Sequence, residues 1–343
     1  MKPAILSALT AMMILIGCSS ESSDNQANKS PSEKKTPTVG YIQVFEDQTL
    51  DAARKGFVDA LKENGFNEDS GTVKIIFRSA QNDQANIPQI LDYFIGEKVD
   101  AIATNPTVAM IAAVGKTKTT PIFMMVGPSP EIAGITKPDS SGKAVAPANL
   151  SGVYETLEYI DTSVALIRQT LPNAKKVGTI FNSSEPNSVN AMNRVRAICQ
   201  QLGLELVEAS VTNSNETQQV MASLIDKNID VFFALPDNII FASFETVNKM
   251  ATEKKIPVVT SEAGLVARGA FIAYGADFYQ WGHQAGVVAA KYLKSGDLKS
   301  APLELVVERK RVFNPKAAAA LGITPPAGFV ELKYTQTRLD CKD

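Results

Sequence analysis

The sequence predicts an α/β protein of two lobes, each a parallel sheet with helices on both faces. Short β-branched runs alternate with amphipathic stretches, the alternation restarts near Lys175, and the punctuation of the two halves recurs at a fixed offset. Parallel strands need crossover connections, almost always right-handed, and helices supply them.

In the first half, Val39 to Phe45 reads as a strand. Leu50, Ala53, Phe57 and Leu61 then recur at helical spacing until Asn64-Gly65 ends the helix. Val73 to Phe77 is the second strand, Ile87, Ile90, Leu91 and Phe94 mark a second helix, and Val99 to Ala103 is the third strand. In the second half the same order runs through a strand at Val177–Phe181, a helix at Val189–Leu202, a strand at Leu204–Ala209 and a helix at Gln218–Ile225. Asp100 and Asp230 open the third strands and Pro106 and Pro236 follow them, both pairs 130 residues apart. Fourth strands begin after Pro121 and Pro257, with Leu150 to Tyr154 as a crossover. A single sheet of ten strands is the competing arrangement, and the repeat argues against it.

The amino terminus is of another kind. Met1-Lys2-Pro3, an apolar run from Ala4 to Ile16 and the sequence Leu15-Ile16-Gly17-Cys18 make a secretory signal, too short to span a bilayer. Leu-Ile-Gly-Cys resembles a bacterial lipobox, which implies cleavage before Cys18 and a diacylglycerol on its sulfur. An ordinary signal with an incidental cysteine is the alternative. Polar residues fill Ser19 to Thr38, as in a disordered tether. The expected organisation is a signal at 1–17, a tether at 18–38, one lobe at 39–152 with 277–302, the other at 153–276 with 303–326, and a tail at 327–343. Hinges are expected near Gly152-Val153, Tyr274-Gly275-Ala276 and Ala301-Pro302.

Composition narrows the partners. Lys and Arg (34) nearly balance Asp and Glu (36) without a block of like charge, which disfavours nucleic acid. No metal-ligand spacing, glycine-rich phosphate loop or nucleophile elbow occurs, and His283 reads as a surface or packing residue, so neither cofactor nor metal nor catalysis is expected. Cys199 and Cys341 remain once Cys18 is lipidated, either joined or free, and free is preferred because Cys199 falls on a helix and Cys341 in the tail.

Ligands of open α/β sheets bind beyond the carboxyl ends of the strands. The loops there offer Phe45, Glu46, Gln81, Asp83, Thr104, Asn105 and Thr107 from the first half. Asn182, Ser183, Ser184, Asn187, Ser188, Asp237, Asn238 and Glu262 come from the second. They are rich in hydroxyls, amides and carboxylates and contain no Lys or Arg. Hydroxyls at helix amino termini suit a carboxylate, and Asp237 and Glu262 suit an ammonium, so a small zwitterion is the expected ligand. Helix capping accounts for the same residue types. Asp237, next to Pro236 at a strand end, is the residue expected to hold the ammonium.

From Val39 to Pro326 the chain resembles the ABC-transporter substrate-binding proteins associated with tryptophan, tyrosine or phenylalanine uptake. The resemblance rests on Leu50-Asp51-Ala52-Ala53-Arg54-Lys55-Gly56-Phe57, Ala80-Gln81-Asn82-Asp83, Leu171-Pro172-Asn173-Ala174-Lys175-Lys176-Val177-Gly178, Phe181 to Ser188, Pro236-Asp237-Asn238, and Asn314-Pro315-Lys316-Ala317 through Leu321-Gly322. It implies a type I periplasmic-binding-protein fold of two Rossmann-like lobes joined by three crossovers, with no enzymatic activity. It also implies an exported, membrane-anchored monomer that delivers an amino acid to an ABC permease and its ATPase. A sensor that presents ligand to a signalling receptor is the alternative with the same fold. Within the family an aromatic amino acid is the expected ligand, with Phe45, Tyr154 and Phe181 as apolar walls.

Overall fold

The computed structural model describes residues 35–332. The expected signal, lipidated Cys18, nearly all of the tether, and Cys341 lie outside these residues.

In the first half, β1 (Thr38–Gln43), α1 (Gln48–Glu63), β2 (Lys74–Ser79), α2 (Ile87–Gly96), β3 (Ala101–Asn105), α3 (Thr107–Lys116) and β4 (Ile122–Met124) follow in order. A hairpin of β5 (Lys137–Pro138) and β6 (Ala144–Val145) precedes β7 (Leu150–Tyr154). The second half runs α4 (Tyr159–Thr170), β8 (Lys176–Asn182), α5 (Pro186–Gln201), β9 (Glu205–Val211), α6 (Thr217–Asp226) and β10 (Val231–Ala234). It continues through α7 (Asn238–Ala242), α8 (Phe244–Glu253), β11 (Val258–Glu262), α9 (Ala263–Ala267) and β12 (Ile272–Ala276). The chain then returns to the first lobe for α10 (Phe278–Ser295) and β13 (Glu304–Leu305), and ends in the second with β14 (Arg309–Phe313), α11 (Pro315–Leu321) and β15 (Val330–Glu331).

One sheet has the order β13-β7-β4-β3-β1-β2 and the other β15-β14-β12-β11-β10-β8-β9. Both share a parallel core in which the second strand lies outside the first and the third lies inside it. Only the join of β12 to β14 is antiparallel within the two large sheets. The switch between β1 and β3, and its counterpart between β8 and β10, leaves a crevice at the strand ends where the two lobes face each other.

The repeated aspartates explain the matching halves. Asp100 accepts from the Thr38 N–H at 2.7 Å, fastening the start of β1 to the start of β3. Asp230 accepts from the N–H groups of Lys175 and Lys176 at 2.7 and 2.8 Å, and does the same for β8 and β10. Each lobe therefore sets the register of its central strands with the same carboxylate.

α1 and α10 cross at backbone distance. A methyl group on Gly282 would lie 1.8 Å from the Ala53 carbonyl oxygen, and one on Gly56 would lie 2.0 Å from that of Tyr279, so neither position admits a side chain. His283, on the same face, bonds Glu63 at 2.7 Å, in keeping with a packing role. Cys199 is a free thiol buried in the second lobe, and burial pushes its pKa up to about 11.

Among the described residues, three connections link the lobes: residues 155–158 after β7, Asp277 between β12 and α10, and residues 306–308 between β13 and β14. Leu150–Tyr154 is thus a full strand of the first sheet, and the chain leaves that sheet after Tyr154 and Leu305. The boundaries expected at 152 and 302 lie within a few residues of these strand ends. Ion pairs join the connections: Arg309 holds Glu155 through both carboxylate oxygens at 2.7 and 2.6 Å, and Lys310 pairs with Asp277.

Candidate functional site

A cavity of about 30 Å³ lies between the lobes, at the carboxyl ends of the central strands. The first lobe contributes Thr107 from the start of α3, Val126, Gly127 and Pro128 from the exit of β4, and Phe278 and Trp281 from the first turn of α10. From the second come Leu157 and Tyr159 beside the first crossover, Asn187 of α5, Pro236, Asn238 and Phe241 around α7, and Glu262 at the end of β11.

Aromatic rings form its apolar wall. Phe241 meets Phe278 edge-on at 5.8 Å, and Phe278 meets Trp281 edge-on at 5.8 Å, so the ladder runs from one lobe to the other. The Trp281 indole N–H donates to the Val153 carbonyl at 2.9 Å, which fixes α10 against the last strand before the first crossover. Val126 and Leu157, on opposite walls, both have left-handed backbones, with φ of 50° and 65°. Such conformations cost non-glycine residues on the order of 1–3 kcal/mol and persist where surrounding packing enforces them, as in ligand clamps.

The polar wall brings together Thr107, Asn187, Asn238 and Glu262. The Asn187 amide N–H donates to the Pro236 carbonyl at 3.0 Å and its Oδ1 is buried without a partner. Asn238 donates to Glu185 at 2.5 Å. Glu262 accepts from the Tyr159 hydroxyl at 2.8 Å through Oε1, while Oε2 is buried without a partner. Thr107 begins a helix whose N-cap is Pro106, so no side chain caps it.

The other expected residues lie elsewhere. Phe45 is in the first lobe's core, and Glu46, Gln81, Asp83, Ser183 and Ser184 are exposed. Asp83 caps the turn at Ala85, and Asn182 accepts from the Ser184 N–H. Thr104 and Asn105 are fully buried at the end of β3, with the Asn105 amide donating to Tyr41 Oη and the Leu50 carbonyl, both at 3.0 Å. Tyr154 and Phe181 pack against the cores of their lobes and do not line the cavity.

Asp237, expected to hold the ammonium, is not among the residues that line the cavity. Its Oδ1 accepts from the N–H groups of Ile239 and Ile240 at 2.8 and 3.0 Å, capping α7. Its Oδ2 accepts from the Asn182 N–H at 2.6 Å and the Ser188 hydroxyl at 2.5 Å. Four donors saturate a carboxylate that is fully buried.

Burial raises the pKa of both Glu185 and Asp237, which lie close enough to repel each other. Four donors favour the ionised form at Asp237, so the pair's proton rests on Glu185, pushed up to about 7 by burial and then by the Asp237 charge. Between the usual 4.5 and about 7, folded Glu185 holds a proton that the unfolded chain has lost. Its contribution to stability is therefore complete below 4.5 and disappears as pH rises towards 7. Urea midpoints measured across this range should fall with pH, and Glu185→Gln should flatten the fall. An unchanged slope in the variant would show that Glu185 ionises normally.

Contacts beyond the cavity also join the lobes. Arg268 of the second lobe pairs with Asp47, the N-cap of α1 in the first, and donates to the Phe241 carbonyl at 2.7 Å. Gln84 reaches Glu185 at 3.4 Å. Both contacts cross from one lobe to the other.

Comparison with known proteins agrees with this geometry. Residues 38–332 match the family model for ABC transporter substrate binding protein, and the chain belongs to that family. It is similar to a tyrosine-binding protein of Clostridioides difficile, with 33% identity over 320 residues, 92% of this chain and 90% of the relative. It also resembles a Streptococcus pneumonia ABC domain in complex with L-Trp, with 26% identity, a TM-score of 0.75 and coverage of 85% and 96%. A ligand-free, open substrate-binding protein with adhesive properties from Clostridium difficile is 32% identical, with a TM-score of 0.62 and coverage of 87% and 100%. The ligand-bound protein superposes better on this chain than the ligand-free, open one does. The fold is of the type I periplasmic-binding-protein kind, and proteins of this family bind substrates instead of transforming them.

Proposed function

We propose that the protein is the capture component of an ABC importer and binds an aromatic amino acid in the cleft between its lobes. The observation that carries this reading is the cavity itself, in which a ladder of three aromatic rings faces Asn187, Asn238, Glu262 and Thr107. The ladder suits an aromatic side chain, and the polar wall suits a zwitterionic backbone. Relatives described as binding tyrosine, or holding L-Trp, support the same ligand class.

A cavity of about 30 Å³ has room for one or two water molecules. An amino acid therefore enters through an open form, and its contacts to both walls favour closure. The finer assignments belong to the same proposal: lipid on Cys18, export to the outer face of a membrane, and delivery to a permease as a monomer. Calorimetric titration of the purified chain should show L-tyrosine, L-tryptophan or L-phenylalanine binding at least tenfold more tightly than L-leucine or L-glutamate, about 1.4 kcal/mol. Equal affinity for all five, or binding of none, would defeat the aromatic assignment.

A further inference from the structure

Asp47 and Arg268 form an ion pair that crosses from one lobe to the other outside the cavity. Asp47 precedes α1 of the first lobe, and Arg268 follows α9 of the second. Their side chains are 0% and 6% exposed, so the pair is almost shut off from water. A buried charge that loses its partner is costly, which makes such a pair sensitive to how the lobes stand.

Each partner also holds part of its own lobe. Asp47 Oδ1 accepts from the N–H groups of Thr49 and Leu50 at 2.8 and 3.3 Å, and Oδ2 is the oxygen turned to Arg268. Arg268 donates to the two Glu245 oxygens at 2.8 and 2.9 Å and to the Phe241 carbonyl at 2.7 Å. Phe241 lines the cavity, and its ring meets Phe278 of the first lobe. One guanidinium thus fixes the backbone that carries this ring and reaches the opposite lobe. Beside the pair, α9 and α1 are in close contact. A methyl group on Gly264 would lie 2.4 Å from Thr49 Cγ2, so the interface has no room for a side chain there. A rotation that draws α1 away from α9 breaks the ion pair and this contact together.

We propose that the start of α1 and the end of α9 form a closure latch, in which Arg268 positions the aromatic wall and holds the lobes around the ligand. The proposal rests on the reading of the cleft as an amino-acid site. Neither Asp47 nor Arg268 lines the cavity, so the latch acts without touching what is bound. It adds contacts to the closed form alone, and ligand binding draws on that difference between open and closed. Ligand reaches an open cleft before the latch forms, so the effect falls on departure and hardly on arrival.

The test is surface plasmon resonance, with L-tyrosine, L-tryptophan and L-phenylalanine passed over the immobilised full chain. Asp47→Asn keeps the α1 cap, since Asn caps as well as Asp, but sets an amide N–H against the guanidinium. It should release ligand at least ~tenfold faster, with the association rate within ~threefold of wild type. The urea midpoint of the ligand-free variant should change little, because the cap and both cores are kept. Gly264→Ala alters no charge and should also speed release, by wedging α9 from α1. Adding Thr49→Ser removes the methyl group that the new side chain strikes, keeps the hydroxyl, and should restore slow release. Wild-type release rates in Asp47→Asn overturn the latch while leaving the amino-acid site intact. A lowered ligand-free midpoint with unchanged release overturns it as well, since the pair would then be a permanent strut. Failure of wild type to bind any of the three overturns the functional reading and the latch with it.

Discussion

Asp237→Ala is expected to lower stability by about 3 kcal/mol or more while leaving ligand affinity within tenfold of wild type. The substitution removes the acceptor for two N–H groups at the start of α7, and a lost cap alone costs about 0.5–2 kcal/mol. It also takes the acceptor from the Asn182 N–H and the Ser188 hydroxyl, both buried, and each buried donor left unsatisfied costs about 1–3 kcal/mol. Relief of the repulsion with Glu185 offsets part of this, which keeps the expected value below the sum. Urea denaturation gives the stability and calorimetry the affinity of the folded variant. Unchanged stability with collapsed affinity would place Asp237 on the ligand after all.

Arg309→Met should destabilise by about 3–5 kcal/mol, because it strands a charge in the interior. Glu155 is fully buried at the first crossover, whereas the Arg309 side chain is 21% exposed at the third. With the guanidinium gone, Glu155 keeps only the N–H and hydroxyl of Thr156. The double variant Glu155→Gln with Arg309→Met removes both charges and should recover most of the loss, since a buried pair contributes far less than breaking it costs. The pair also joins two of the three connections between lobes, so the single variant should scatter X-rays as a more extended molecule than wild type. A loss below about 1 kcal/mol would mean that water reaches Glu155 and the connection is loose.

How far the site could be read from sequence depends on the residue. Thr107, Asn187, Asn238 and Glu262 were expected on the cleft because each closes a strand or opens a helix at the carboxyl edge of its sheet. Asp237 has the same position and chemistry yet turns inward, because Asn182 and Ser188, some fifty residues earlier, present donors to it. Capping and ligand binding call for the same residue types, and only the direction of the side chain separates them. The aromatic wall escaped for a similar reason: Phe241, Phe278, Trp281 and Tyr159 occur at helical spacing that serves core packing equally well. One signal pointed to two of them. Tyr159 and Phe278 are the first residues of helices that begin just beyond crossovers, where a side chain faces the cleft.

The sequence by itself determined the architecture: two lobes of one topology, the order of strands and helices, and the loops that meet. Hydrophobic period and turn chemistry are local, and repetition exposes them twice. Asp100 and Asp230 show how directly, since the pair found by spacing alone performs one task in both lobes. The tertiary structure alone decided which carboxylate is a cap and which faces the cavity, which aromatics line the cleft, and where the lobes are tied by Arg309 and Arg268. Those outcomes depend on burial and on partners distant in the chain, and a side chain's charge and hydrogen bonding are set by such neighbours, not by its own position in the sequence.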